Sequence, residues 1–324
     1  MKKVPRDTVM RVLPASPRPA GRGEAGSSSR RWRRARRVLT PWLFLLPAAV
    51  ILGTFTYYPL WRSIQLSFTK WNLLSDPQPV GWDNYALLAD SSEFRATIFV
   101  TVVFTGGNLV GTYLLAFASA LLLRQTFRGV KLVRSSILIP TVIPMVVAGL
   151  TWRWMLEPST GLIDQGLGAL GLFQPNWLFD PQLALLSVVA VSIWRDFGIY
   201  MLVLLGGLLA IPKEITEAAD LDGASGWQRL FRVTMPMIAA ANAFVIVLVL
   251  FNSIKAFDQI WVMTQGGPGG ATTTILTYVF NKISSGQVGL AAAASVILFL
   301  VVFILVIARA TLERNQNAGI NVAR

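Results

Sequence analysis

The sequence predicts an all-α membrane protein of six transmembrane helices, and three observations lead there. Apolar residues make up 54% of the 324, against 14% charged, too much apolar surface for an ordinary water-soluble domain. Six apolar runs, at roughly 40–60, 96–123, 136–156, 183–209, 239–261 and 288–308, reach the ~18 residues needed to cross a bilayer. The segments between them alternate in charge as the positive-inside rule requires. Irregular backbone cannot face lipid, so runs of this length imply a helical bundle and not a barrel.

Residues 1–37 form a basic tail, with twelve Lys or Arg against Asp7 and Glu24. The tail therefore holds ten of the thirteen net positive charges. Charge concentrated before a first span fixes a cytoplasmic N-terminus and explains the basic pI without nucleic acid. Residues 1–30, rich in Pro, Gly, Ser and Arg, are expected to be disordered. Ser29-Arg30-Arg31 resembles a twin-arginine export signal, but no small-residue cleavage site follows, so 40–60 is read as a retained anchor helix. Residues 38–324 then make up the six-helix membrane domain.

Loop 61–95, with four acids against three bases, is placed outside. Segment 124–134 packs Arg124, Arg128, Lys131 and Arg134 into eleven residues and is placed inside. Loop 157–182 has Glu157, Asp164 and Asp180 without a base, and is outside; loop 210–238, with Lys213, Arg229 and Arg232, is inside. Loop 262–287 is outside, and the C-terminal Arg309, Arg314 and Arg324 are inside. Both termini are thus expected in the cytoplasm.

Within 211–238 the punctuation is that of an elbow. Pro212 suits a first helical position, Lys213–Asp222 reads as a short helix, and Gly223 sits where a left-handed terminating residue belongs. Ser225 and Gln228 have capping-box spacing, so a second helix starts there. On it Trp227, Leu230, Phe231 and Thr234 recur at helical spacing as one mostly apolar face. An amphipathic loop lying on the bilayer surface is the competing reading.

Polar residues inside spans are costly and mark pathways or buried pairs. Arg195 and Asp196, beside Trp194, lie deep in the fourth run; adjacent residues project to different faces and are not expected to pair. Asn252, Lys255 and Gln259 share one face of the fifth run, and Lys255 can pair with Asp258. Arg153 reads as snorkelling to the interface. Gly106, Gly107 and Gly111 read as a helix-packing face. Cys and His are absent, which removes thiolate and imidazole chemistry, and no carboxylate cluster suggests a metal. No Gly-Lys-Ser/Thr occurs, so no Walker-type ATP site is present, and Gly266-Gly267-Pro268-Gly269-Gly270 is turn chemistry.

The stretch Glu217-Ala218-Ala219-Asp220-Leu221-Asp222-Gly223, closing at Met235-Pro236, resembles the coupling loop of bacterial ABC importer permeases. Pro140–Met155, with Pro158 and Gly161, and Phe257–Pro268 resemble the third and fifth spans of the carbohydrate-uptake subgroup, maltose-type and glycerol-phosphate-type. The likeness covers roughly 40–310 and implies a type I importer permease fold in the bacterial inner membrane. It implies ATPase coupling through Glu217, Ala218, Ala219, Asp220, Asp222 and Gly223. It also implies a second permease subunit, an external solute-binding protein, and two ATPase subunits that bind ATP and Mg, with no cofactor on this chain. The expected pathway comprises Trp194, Arg195, Asp196, Tyr200, Asn252, Lys255, Asp258 and Gln259. The residues leave open a neutral sugar or oligosaccharide against glycerol phosphate or a glycerophosphodiester. A membrane-embedded glycosyltransferase would need exposed carboxylates near the membrane face, for which Glu157, Asp164 and Asp180 are too scattered; a secondary transporter would show internal repeats or broken helices with central acids, and the halves show no repeat.

Overall fold

The computed structural model describes residue 41 and residues 43–322, with side chains through residue 307. The expected disorder of 1–30 and the tail as a whole lie outside the described residues. Among the described residues, four helices are long and apolar enough to span on their own: α1 (Leu43–Leu66), α3 (Ser92–Leu123), α7 (Pro181–Leu209) and α13 (Val288–Val322, apolar to Ile307). Between α1 and α3 lie a two-stranded antiparallel hairpin, β1 (Thr69–Lys70) with β2 (Gln78–Pro79), and the short helix α2 (Asp83–Asp90).

The third and fifth runs were expected as single helices, and each is a bent pair. α4 (Val130–Val142) meets α5 (Met145–Met155) at 95°. The break follows from Pro144, which lacks an N–H and pushes Ile143 out of the helical region, to ψ 128°. α9 (Gly226–Met237) meets α10 (Ala239–Ile254) at 76°. Pro236 removes a helical donor there, and a widened turn over Leu230–Thr234 precedes it. The fifth run also stops early: α10 ends at Ile254, and a separate helix, α11 (Asp258–Met263), follows an irregular Lys255–Phe257.

From Trp61 onward, α3 and α7 form the centre. Gly107 and Gly111 face Val189 and Ile193; a Cβ on Gly111 would lie 2.3 Å from Ile193 Cδ1. The small-residue reading holds for these two, whereas Gly106 meets nothing. Gly198 admits α4 in the same way, since a Cβ there would come within 2.4 Å of the Ile137 carbonyl oxygen. α10 is tied to this centre by a buried polar contact: Asn108 Nδ2 donates to Ser253 Oγ at 2.7 Å. Two caps set the start of the long helices. Ser91 Oγ accepts from the Phe94 N–H, and Asp180 accepts from the Gln182 N–H with Pro181 in the first turn.

At the end away from 124–134, α6 (Leu162–Ala169) is organised by buried Asp164. Its carboxylate accepts from the Ser159 N–H and the Trp177 indole N–H, both at 3.1 Å. α12 (Ile275–Ser284) is joined to α3 by the Lys282–Glu93 pair at 2.8 Å and by the Ile275 N–H on Thr101 Oγ1.

Candidate functional site

Two regions gather the residues singled out by sequence. The first is the elbow between α7 and α10. α8 (Lys213–Leu221) is entered from Pro212, which has ψ 141° and is the N-cap, so it stands one position before the expected first turn. The helix ends in a Schellman motif: the Gly223 N–H bonds the Asp220 carbonyl and the Ala224 N–H bonds the Ala219 carbonyl, both at 3.1 Å. Gly223 has φ +73°, a conformation glycine adopts without a Cβ penalty. One residue after Ala224 the capping box forms as its spacing predicts, with Gln228 Oε1 accepting from the Ser225 N–H at 2.9 Å.

Ala219 is the α8 residue turned inward, while Glu217, Ala218, Asp220, Asp222 and Gly223 are exposed. A contact that sequence reading missed crosses the turn: Arg229 Nη1 meets Asp220 Oδ1 at 2.5 Å. Nine residues separate them, a spacing no helical rule flags, so only the tight turn at Gly223 makes the contact. The apolar face of α9 divides. Leu230 and Thr234 pack inward, whereas Trp227 and Phe231 stack on each other at 5.7 Å and stay 72% and 57% exposed.

The second region is a cavity of about 420 Å³ halfway along α7. It is lined by Arg195, Asp196 and Tyr200 of α7, by Asn252 of α10, and by Lys255, Asp258 and Gln259 around the α10–α11 break. Seven of the eight residues expected on the pathway therefore converge. The eighth, Trp194, turns away: it packs edge-on against Trp152 at 5.3 Å and faces a groove beside α4.

Two expected pairings are corrected. Arg195 and Asp196 do pair, Nη1 to Oδ1 at 2.5 Å, because the long guanidinium arm folds back over the neighbouring carboxylate. Arg195 Nε also reaches the Ile143 carbonyl at 3.4 Å, where the α4–α5 break leaves acceptors without helical donors. The Lys255–Asp258 pair does not form, since the helix breaks between them and i, i+3 geometry is lost. Tyr200, 5% exposed, receives a hydrogen bond from Asn252 Nδ2 at 2.9 Å. The cavity thus presents two cations and two carboxylates, with a phenol and two amides among them.

Thr141, Met145, Ile199, Ala256 and Phe257 complete the wall and were not foreseen. For Thr141 and Met145 the flanking Pro140 and Pro144 were the one signal; none marked the rest. Arg153 is exposed and donates to the Val262 carbonyl at 3.2 Å.

Comparison with known proteins agrees with this architecture. Residues 95–317 match the family model of binding-protein-dependent transport system inner membrane components. The chain is 32% identical over 262 residues to the trehalose/maltose transport system permease protein MalF of Thermococcus litoralis, covering 81% of this chain and 89% of that protein. It is 31% identical to the sulfoquinovosyl glycerol transport system permease protein SmoG of Agrobacterium fabrum, covering 83% and 88% respectively. Among solved structures, a chain of a bacterial ABC transporter involved in the import of the acidic polysaccharide alginate shares the fold, with TM-score 0.76 at 24% identity, covering 88% of this chain and 99% of that one. With a family model spanning most of its length, and a bundle whose spans and elbow fit it, this chain belongs to the family of binding-protein-dependent transport system inner membrane components.

Proposed function

We propose that the chain is one of two permease subunits of an ATP-driven importer for a neutral sugar or oligosaccharide. In this reading the elbow faces the cytoplasm, as the loop charges require, and docks on one of two ATPase subunits that hold ATP and Mg. An external binding protein delivers the solute, and closure of the ATPases pushes α8 and switches which side the central cavity opens to. ATP binding drives that switch only in so far as it favours one state over the other.

The charge balance of the central cavity carries the substrate class. Arg195 with Asp196, and Lys255 near Asp258, leave no net charge in the lining. A phosphate would meet two carboxylates alongside the two cations, one of them already held by Asp196, so the lining offers it no net attraction. A polyhydroxyl ligand instead finds donors and acceptors of both kinds in Tyr200, Asn252 and Gln259, so the glycerol phosphate alternative is disfavoured. The MalF relative, named for trehalose and maltose transport, supports a saccharide.

The glycosyltransferase alternative loses two of its three acids to structure. Asp164 is buried and satisfied, and Asp180 caps α7. Broken helices, expected for a secondary transporter, are present here too, so family membership is what separates the two. The test is uptake into proteoliposomes holding the assembled transporter and its binding protein. ATP-dependent accumulation of labelled maltose or trehalose, without glycerol 3-phosphate, is expected. Uptake of glycerol 3-phosphate alone would overturn the substrate class.

A further inference from the structure

Beside the elbow lies a second cavity, about 470 Å³, which shares Asp220 and Arg229 with the elbow but whose other walls have no part in the coupling role. Its walls come from Leu121 of α3 and Arg124 and Gln125 just beyond its end, from Thr216 and Asp220 of α8, and from the start of α9 (Gly226, Arg229, Leu230). Of its charged groups, Arg229 and Asp220 hold each other, which leaves Arg124 as the cation in excess. Among the described residues the Arg124 side chain has no hydrogen-bond partner, whereas Arg134 nearby is committed to the Leu123 carbonyl at the end of α3, at 2.6 Å. Gly226 adds a first-turn N–H of the kind that has no helical acceptor. The net charge of the lining is therefore +1, set between Leu121 and Leu230.

The approach to this cavity has the character of a membrane surface. Arg128 and Lys131 alternate with Phe127 and Leu132, 48% and 75% exposed, and no acid interrupts 124–134. Basic residues interleaved with exposed apolar ones suit the interface of an anionic leaflet.

We propose that this cavity holds one singly charged phosphodiester, carried by an anionic phospholipid of the cytoplasmic leaflet. Arg124 and the Gly226 N–H face the phosphate oxygens, and Gln125 donates to a free oxygen of the headgroup. Thr216 Oγ1, which already donates to the Lys213 carbonyl at 2.7 Å, accepts from a headgroup hydroxyl. Leu121 and Leu230 line the way out for the acyl chains. A monoanion matches the single excess charge, and a zwitterionic headgroup would bring its own cation against Arg124.

Native mass spectrometry of the full-length chain, released from nanodiscs of equal phosphatidylglycerol and phosphatidylcholine, tests this. The wild-type chain is expected to retain one phosphatidylglycerol in preference to phosphatidylcholine. Arg124→Gln should cut that preference roughly fivefold, the worth of one arginine near an anionic surface. Arg124→Lys should keep most of it, which shows that the chain tolerates substitution there, and Arg128→Gln, outside the cavity, should leave it intact. Equal loss in Arg124→Gln and Arg128→Gln would mean diffuse surface attraction and overturn the site. Unchanged retention in Arg124→Gln would do the same. Displacement of the lipid by 10 mM inorganic phosphate would assign the cavity to a soluble anion and overturn the lipid.

Discussion

Asp220 and Arg229 join the two helices of the elbow across Gly223, carboxylate to guanidinium at 2.5 Å. Both side chains are about half exposed, so the pair adds at most about 1 kcal/mol to stability. Its value is geometric, because it fixes the angle between a capped helix end and a capped helix start. Arg229→Gln should leave the melting temperature within a few degrees of wild type while lowering uptake per ATP hydrolysed. The swapped pair Asp220→Arg/Arg229→Asp should recover part of that loss, and an unrecovered swap would show that the two residues act separately.

The close approach of α4 to α7 depends on Gly198. A Cβ there would sit 2.4 Å from the Ile137 carbonyl oxygen, an atom that backbone cannot withdraw without moving α4. Gly198→Ala should destabilise by about 1–3 kcal/mol, read from detergent-solubilised thermal unfolding. Gly106→Ala, where nothing lies nearby, should be neutral or slightly stabilising on the same scale.

Tyr200 and Asn252 offer a paired phenol and amide to the central cavity. Tyr200→Phe removes the acceptor of the exposed Asn252 amide, a loss of about 0.5–1.5 kcal/mol of site organisation. Uptake by Tyr200→Phe should show a raised apparent KM with ATPase activity retained. Trp194→Phe, facing away from the cavity, should leave the KM unchanged.

At the opposite end, burial and then the Glu93 carboxylate push the Tyr278 hydroxyl up to about 12, from 10. For a group whose folded pKa is raised, the stabilisation is complete below the unfolded value and disappears as pH climbs through the folded one. Stability should therefore hold up to about pH 10 and fall between pH 10 and about 12. Tyr278→Phe should remove that step from an alkaline unfolding series.

Much of the elbow was legible because its signals are local. A glycine at C′ and a Ser/Gln box three residues apart each specify one turn of backbone, and both formed as spaced. The cavity residues were legible for a different reason: ionisable and amide side chains inside apolar runs need polar company, and seven of eight found it together. What sequence reading missed depends on breaks. Hydropathy runs continuously through Ile143-Pro144 and Lys255–Phe257, so the bends, and with them Thr141 and Phe257 as lining residues, needed three dimensions. The inference that Arg195 and Asp196 point apart failed because it followed Cβ directions and neglected the reach of an arginine arm.

The coupling assignment has the most direct test in a ratio: solute taken up per ATP hydrolysed in proteoliposomes carrying the assembled transporter. Glu217→Ala removes one of the three exposed acids of α8, and Gly223→Pro forbids the positive φ that ends it. Both variants should still assemble and hydrolyse ATP while uptake falls at least roughly tenfold, a change of about 1.4 kcal/mol in coupling. Uptake and hydrolysis both unchanged in the two variants would contradict the elbow's role.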